Sequence, residues 1–84
     1  MILAAGLTPA WQRILEFDRL QVGEVNRAVH AAACASGKVL NVARACHALG
    51  ADTRTLCAIG GSAGQAIRDE FARDGLHARW IETA

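Results

Sequence analysis

The sequence has few aromatic residues and no long apolar run. Tyrosine is absent, aromatic residues make up 5% of the 84 residues, and the 52% apolar fraction consists mostly of alanine, leucine, valine and isoleucine. Such a profile favours the buried sheets and helices of an α/β protein over a small β-barrel. No apolar stretch approaches the roughly 18 residues that a transmembrane helix needs, so the sequence predicts no membrane span.

The sequence also lacks a concentration of charge of one sign and a paired cysteine motif. Nine basic and eight acidic residues are interspersed, giving a net charge of +1, which argues against a nucleic-acid-binding surface. The three cysteines, Cys34, Cys46 and Cys57, have neither CxxC nor CxH spacing. A disulfide framework or a metal site is therefore not expected. We expect reduced cysteines that pack as small hydrophobes in a cytoplasmic protein.

The first third of the chain predicts strands. Residues 1–7 are apolar but lack the basic segment of a signal peptide, and they predict a buried first strand. Residues 14–18 and 25–30 alternate in polarity and predict an antiparallel pair around a turn at 21–24. The alanine-rich residues 31–35 fit either a helix or a strand.

The rest of the chain alternates between helix and strand patterns. Residues 37–49 predict a helix with one narrow polar stripe, which is typical of a largely buried helix. A strand follows at 53–59. Ser62 and Gln65 have the spacing of a capping box and predict the start of a second helix, on which Asp69 and Arg73 could form an ion pair. A last strand is predicted at 77–82.

This order of elements predicts an α/β fold. Right-handed crossovers between the strands would produce a parallel sheet with helices on its faces. The chain ends soon after a strand that no following element covers. We therefore expect these residues to form about half of a doubly wound domain and to be a fragment of a longer protein.

The stretch from residue 35 to 44 is the strongest candidate for a binding site. A turn of small residues carries Lys38, and an apolar helix follows with Asn41 one turn in. The unpaired backbone N–H groups and the dipole at a helix N-terminus favour anions and oxygen-rich ligands, and Lys38 and Asn41 share a helix face. The same two residues also fit an ordinary exposed lysine and a capping asparagine.

Two nucleotide-binding motifs are disfavoured by the spacing. A phosphate-binding loop needs Ser or Thr after the lysine, where this chain has Val39, and a further glycine upstream that is missing. The glycines at 60–64 are spaced GGxxG, which differs from the dinucleotide-binding GxGxxG and lacks the acidic residue expected after it. A tight turn between strand and helix is the favoured interpretation of these glycines.

Short motifs occur in order along nearly the whole chain. They are LTPA at 7–10, GEVNR at 23–27, SGKVLNVAR at 36–44, GGxxG at 60–64 and DGL at 74–76. In this order they resemble the N-terminal quarter of the PfkB (ribokinase-like) carbohydrate kinases, most closely the 1-phosphofructokinase and tagatose-6-phosphate kinase branch. The resemblance implies the N-terminal part of a ribokinase-like, Rossmann-like αβα sandwich with a small β lid. Residues 1–84 would form a partial domain, with lid strands at about 11–34 and a sugar-side turn and helix at 35–50.

The resemblance also implies a function, which is ATP-dependent phosphoryl transfer to a hydroxyl of a sugar or sugar phosphate. This chain would carry the sugar-binding part, and no catalytic residue is expected in it. The catalytic base and most of the site for ATP and Mg²⁺ would belong to a C-terminal part that carries the family's GAGD-type motif. A homodimer through the lid is implied as well. The residues implied in substrate binding are Gln12, Arg27, Ser36, Gly37, Lys38 and Asn41.

The chain departs from the family pattern at three positions. Gln12 stands where the family commonly has an aspartate, and Ser36 and Val39 stand where it has glycines. Glutamine can still donate and accept hydrogen bonds but carries no charge. A non-catalytic sugar-phosphate-binding protein, or a diverged or truncated remnant, therefore remains an alternative to an active kinase.

Overall fold

The computed structural model describes residues 1–83 and has the α/β fold expected from the sequence. Five strands and two helices follow one another in the predicted order. The elements are β1 (Ile2–Gly6), β2 (Ala10–Glu16), β3 (His30–Ser36), α1 (Lys38–Ala48), β4 (Thr53–Gly60), α2 (Gly61–Arg73) and β5 (His77–Thr83).

Three strands form a parallel sheet in the order β1-β4-β5, so the first strand lies at one edge. In its register Ala4 lies beside Thr55, which lies beside Ala78. Alternate residues of β4 are buried, and they pack against residues from both helices, among them Leu40 and Phe71. Both helices therefore cover the same face of the sheet. The predicted parallel sheet with helices packed on it is confirmed, and both helices share one face because both crossovers advance in the same direction across the sheet.

The remaining strands, β2 and β3, form a separate two-stranded antiparallel sheet. Its register runs from Ala10 opposite Ser36 to Glu16 opposite His30. The predicted strand at 25–30 is wrong, since β3 begins only at His30 and extends through the alanine-rich residues whose structure the sequence left open.

The physical reason lies in what the two candidate strands could bury. Val25 is 90% exposed, so its alternating pattern has no buried face to occupy. Ala35, by contrast, is fully buried opposite Trp11 at the end of β3 that packs against the helices. Contacts with neighbouring elements here outweigh the low strand propensity of alanine.

Burial is lower than the sequence predicts in β1 and α1. Ala4 is the only buried residue of β1. Leu3 is exposed because it lies on the sheet face that is uncovered among residues 1–83, whereas Ile2 lies on the same face as Ala4 and is 41% exposed at the start of the strand. In α1 only Leu40 and Ala43 are buried, and Val42 is 51% exposed.

None of the helices described is long and apolar enough to cross a membrane.

The start of α2 also differs from the prediction. The N-cap is Gly60, no side chain caps the helix, and Ser62 already lies within it, so the capping box is wrong. The Gln65 side-chain amide donates to Asp69 Oδ1 at 2.8 Å. Asp69 therefore pairs with Gln65 and not with Arg73, whose Nε lies 3.8 Å from Asp74.

Candidate functional site

A crevice opens where the carboxyl ends of β1 and β4 meet the base of the two-stranded sheet. This edge of a parallel sheet is where α/β proteins usually bind ligands. The crevice has a volume of about 270 Å³. It is lined by Leu7, Pro9, Trp11, Ala58, Ile59, Gly60, Ala63, Gly64, Ile67 and Thr83.

The GGxxG segment forms part of this crevice as a tight turn between strand and helix, as predicted. Gly60 ends β4, Gly61 begins α2 and Gly64 is buried. A Cβ atom on Gly64 would lie 3.2 Å from Cβ of Ile59, so the missing side chain lets the helix approach the strand closely.

The turn at Ser36 and Gly37 lies between β3 and α1. Gly37 has φ 95° and ψ 157°, a conformation that essentially only glycine adopts. A Cβ atom there would lie 2.8 Å from the carbonyl oxygen of Thr8 and 3.3 Å from Cα of Pro9. Glycine is therefore required both by the backbone conformation and by the close approach of the segment before β2.

Asn41 is the polar side chain that the helix brings to this turn. Its backbone N–H donates to the carbonyl oxygen of Gly37 at 2.9 Å, and its side-chain amide lies 3.5 Å from Oγ of Ser36. No side chain caps α1, so the capping interpretation of Asn41 is wrong. The structure thus brings Ser36, Gly37 and Asn41 together beside the uncapped N–H groups of a helix N-terminus.

Lys38 is the first residue of α1 and is exposed. It borders a different cavity, of about 180 Å³, together with Ala4, Ala5, Val39 and Val42. Among residues 1–83 no hydrogen bond or ion pair joins Lys38 to Asn41. The lysine is therefore near the turn in the chain but not held in it.

Gln12 lies on β2 with Cys34 as its register partner. Because side chains alternate across a strand, Gln12 shares a face with Ser36, the face opposite to Trp11. Its side chain is exposed. The structure therefore places Gln12 as a diagonal neighbour of the turn, on the same side of the two-stranded sheet.

Arg27 lies in the loop between β2 and β3 and is exposed. In the part of the chain that the structure describes, it makes no ion pair. Asn26 beside it holds the loop through its side chain, which exchanges hydrogen bonds with the backbone of Gln21. The structure does not bring Arg27 to the Ser36 turn.

Two charged residues that the sequence analysis did not assign lie directly behind the turn. Glu70 of α2 is 6% exposed, and its Oε2 accepts from the backbone N–H of Ala35 at 2.9 Å and from Nη2 of Arg44 at 2.6 Å. Arg44 also donates to the carbonyl oxygen of Ala35 at 2.8 Å. The signal that could have revealed Glu70 is its position on α2, where it occupies the same buried face as Ile67 and Phe71.

The described residues offer no cluster of side chains suited to Mg²⁺. Residues 1–83 contain no group of three or more His, Cys, Asp or Glu side chains that could hold a metal ion. Carboxylate oxygens are what Mg²⁺ uses in phosphoryl-transfer sites. We therefore assign no residue of this chain to the metal or the nucleotide.

Comparison with known proteins identifies relatives of this chain. No family model matches the chain. The 1-phosphofructokinase of Haloferax volcanii is 37% identical over 82 residues, which cover 96% of this chain and 27% of that protein. The chain is homologous to 1-phosphofructokinase over this length. The resemblance expected from the motifs is thereby confirmed.

Solved structures support the same fold. A protein from Staphylococcus aureus assigned as a phosphofructokinase matches 99% of the chain with a TM-score of 0.83 and 25% identity, over 27% of its own length. Phosphofructokinase-2 of Escherichia coli in complex with fructose-6-phosphate matches 98% with a TM-score of 0.91 and 21% identity, over 27% of its length. At that identity the second match establishes the fold alone.

The fold is therefore that of the N-terminal part of the ribokinase-like PfkB kinases, as expected. The homologues are phosphofructokinases, which are carbohydrate kinases. This chain spans about a quarter of the length of the phosphofructokinases it matches, so it corresponds to one part of their domain.

Proposed function

We propose that this chain is the acceptor-sugar side of an ATP-dependent phosphofructokinase-like kinase. The observation that carries the proposal is the meeting of Ser36, Gly37 and Asn41 at an uncapped helix N-terminus, in a chain homologous to 1-phosphofructokinase. The acceptor is a sugar or sugar phosphate, with a fructose phosphate as the first candidate. ATP and Mg²⁺ are bound by a part of the protein outside this chain, and ATP supplies the transferred phosphoryl group.

In this proposal the residues of the turn recognise hydroxyl and phosphate oxygens. The free N–H groups at the start of α1 and the amide of Asn41 donate hydrogen bonds, and Ser36 both donates and accepts. Gln12 contacts the sugar from the neighbouring strand. Lys38 and Arg27 are both exposed and supply positive charge for an anionic ligand.

The two-stranded sheet is assigned the role of a lid over the sugar. Phosphoryl transfer depends on positioning and on exclusion of water as a competing acceptor. The lid sheet is anchored at one end by the buried Ala35 and its partly buried register partner Trp11, while its far end is exposed. Such an arrangement gives a fixed base beside the turn and a free end for closure or for contact with a second lid.

The proposal is tested first by the gene and then by binding. The reading frame should continue into a GAGD-type motif within about one further domain length. Calorimetric titration of the protein in the full length that its gene encodes should detect fructose 6-phosphate or fructose 1-phosphate. ATP consumption should depend on the same sugar. Absence of both the motif and sugar-dependent ATP consumption would overturn the kinase assignment.

A pair of variants of α1 makes the binding test specific. Asn41→Ala should weaken sugar-phosphate binding about tenfold, because it removes a hydrogen-bond donor from the turn. His47→Ala changes an exposed residue later on the same helix and should leave binding unchanged. Equal effects of the two variants would contradict the assignment of Asn41.

The alternative function is a sugar-phosphate-binding protein without catalysis. The absence of charge at Gln12 favours it, since an aspartate is usual there in the family that the motifs resemble. The substitution of glycine by Val39 does not favour it, because Val39 packs against Gly6 of β1, away from the turn. Binding of a fructose phosphate without ATP consumption would support this second function over the first.

Homodimer formation through the lid and a cytoplasmic location belong to the same proposal. Leu15 on β2 is 54% exposed and borders a cavity of about 340 Å³ with Ala31 and Ala33 of β3. An apolar surface on a protruding sheet is a reasonable contact for a second copy. Sedimentation of wild type and Leu15→Lys should show a dimer that the variant weakens.

A further inference from the structure

The buried carboxylate of Glu70 lies outside the Ser36–Gly37 turn but is hydrogen-bonded to the residue that precedes it. Its Oε2 accepts the backbone N–H of Ala35, the residue immediately before Ser36. Arg44 donates both to this carboxylate and to the carbonyl oxygen of Ala35. One ion pair therefore satisfies both backbone polar groups of a single residue.

This ion pair makes the hydrogen bonds to Ala35 that a neighbouring strand would otherwise make. β3 pairs with β2 along one edge, and its other edge has no strand partner in the described residues. An unpaired strand edge carries free N–H and C=O groups, which are costly when buried. At Ala35, which is fully buried, the Glu70–Arg44 pair donates and accepts as a third strand would.

The pair also joins three elements at the site. Ala35 lies at the end of β3, Arg44 lies two turns into α1, and Glu70 lies on α2. The backbone of Thr8 and Pro9 also approaches Gly37 closely and leaves no room for a Cβ atom. The turn is thus fixed by a close backbone contact at Gly37 and by a charged hydrogen-bond pair at Ala35.

We propose that Glu70 is a positioning residue for sugar binding, which acts through Ala35 and together with Arg44. It sets where the Ser36–Gly37 turn lies, and so where Asn41 meets its ligand. This inference rests on the proposed function, because the ligand is the sugar phosphate assigned above. Glu70 itself does not contact the sugar, and its removal changes the geometry of the turn from behind.

The experiment compares four forms of the protein in the full length that its gene encodes. They are wild type, Glu70→Gln, the control Asp69→Asn, and the double variant Arg44→Met with Glu70→Leu. Asp69 is the adjacent residue of α2 and is exposed, and within residues 1–83 its side chain hydrogen-bonds to Gln65, so it is a matched change of charge away from the turn. The readouts are amide hydrogen exchange of residues 35–37, the dissociation constant for fructose 6-phosphate and fructose 1-phosphate, the KM for ATP, and the melting temperature.

Glu70→Gln should weaken sugar-phosphate binding about tenfold or more and raise exchange at residues 35–37, because small displacements of binding groups are costly. The KM for ATP should stay unchanged, since no residue described here is assigned to the nucleotide. Asp69→Asn should resemble wild type in every readout. The double variant should melt no lower than Glu70→Gln, because it removes the Arg44 charge that the single change leaves without its partner. Its binding and exchange should nevertheless stay impaired, since Ala35 has lost both side-chain partners.

Recovery of wild-type sugar-phosphate affinity in the double variant would overturn the inference. A sugar-phosphate affinity that falls across the variants only in proportion to the melting temperature would overturn it as well. If wild type binds no sugar phosphate and consumes no ATP, the proposed function fails. In that case, amide hydrogen exchange of residues 35–37 still tests, independently of sugar binding, whether Glu70 holds the turn. Unchanged exchange in Glu70→Gln would contradict its holding the turn, and faster exchange would support it.

Discussion

Gly37 and Cys57 illustrate how single residues contribute to this protein in opposite ways. Gly37 matters because it has no side chain in a place where the backbone turns and Thr8 approaches. Cys57 matters because its side chain is 1% exposed in the core of β4. One residue shapes the candidate site and the other stabilises the sheet on which the site is built.

Gly37→Ala should destabilise the protein by about 3 kcal/mol or more, since a strained conformation and a steric clash with backbone act together. Gly50→Ala is the matched control, because Gly50 also has a positive φ, of 84°, but open space around its Cα. That control should cost about 1–2 kcal/mol. Urea denaturation measures both, and equal losses would contradict the close approach at Gly37.

A second prediction at this scale concerns alkaline pH. Burial raises the pKa of the Cys57 thiol, and a backbone hydrogen bond at Ala58 opposes this only in part. Above about pH 8.5, the ordinary pKa of cysteine, the unfolded chain loses this proton before the folded protein does. The thiol therefore contributes stability below that pH and loses it as the pH rises.

Denaturation at pH 8 and pH 10 measures this contribution. Cys57→Ala should lose less stability over this interval than wild type does, whereas Cys46→Ala should keep the wild-type loss because it leaves Cys57 in place. An identical loss in Cys57→Ala and wild type would contradict the role of the thiol.

At the level of elements, the end of β4 and the start of α2 form one unit. Gly60 closes the strand and Gly64 lets the helix lie against Ile59. The approach of helix to strand at this point therefore depends on small residues and not on a side-chain cap.

Substitutions in the first turns of α2 test whether its start depends on small residues or on a side-chain cap. Ser62→Ala should change the free energy of unfolding by no more than about 0.5 kcal/mol, because the hydroxyl caps nothing. Gly64→Val should cost about 1–3 kcal/mol, because its side chain would overpack against Ile59. Thermal denaturation compares the two variants. A larger loss of stability in Ser62→Ala than in Gly64→Val would indicate that Ser62 caps the helix.

At the scale of the whole molecule, the three-stranded sheet has one face covered by helices and one face open among residues 1–83. On the open face Leu3 is 57% exposed and Ile81 is 52% exposed, with the partly buried Leu56 between them. Parallel sheets are usually covered on both faces. An apolar face of this kind is prone to association when it is left open.

The 84-residue polypeptide, prepared by itself, should therefore self-associate. Leu3→Lys and Ile81→Lys should each reduce the average mass measured by light scattering, because they place charge on the open face. Val22→Lys is the control, since Val22 is 95% exposed in the loop before β3 and outside that face. A monomeric wild-type chain, or an equal effect of the control, would contradict the prediction.

The sequence by itself determined the class and order of the elements. Apolar strands, helical periodicity and glycine-rich turns are local signals, and residues near one another in the chain suffice to produce them. The motif at 36–44 likewise identified the turn, because a glycine and an asparagine at a fixed spacing have local geometric consequences.

Only the tertiary structure decided which of these segments are buried and what holds the turn. Val25 is exposed and Ala35 is buried because burial depends on which distant element covers a strand. Glu70 and Ala35 are 35 residues apart, and no local pattern connects them. Their hydrogen bond exists because the crossover of the sheet places α2 against the end of β3, and only long-range packing could reveal it.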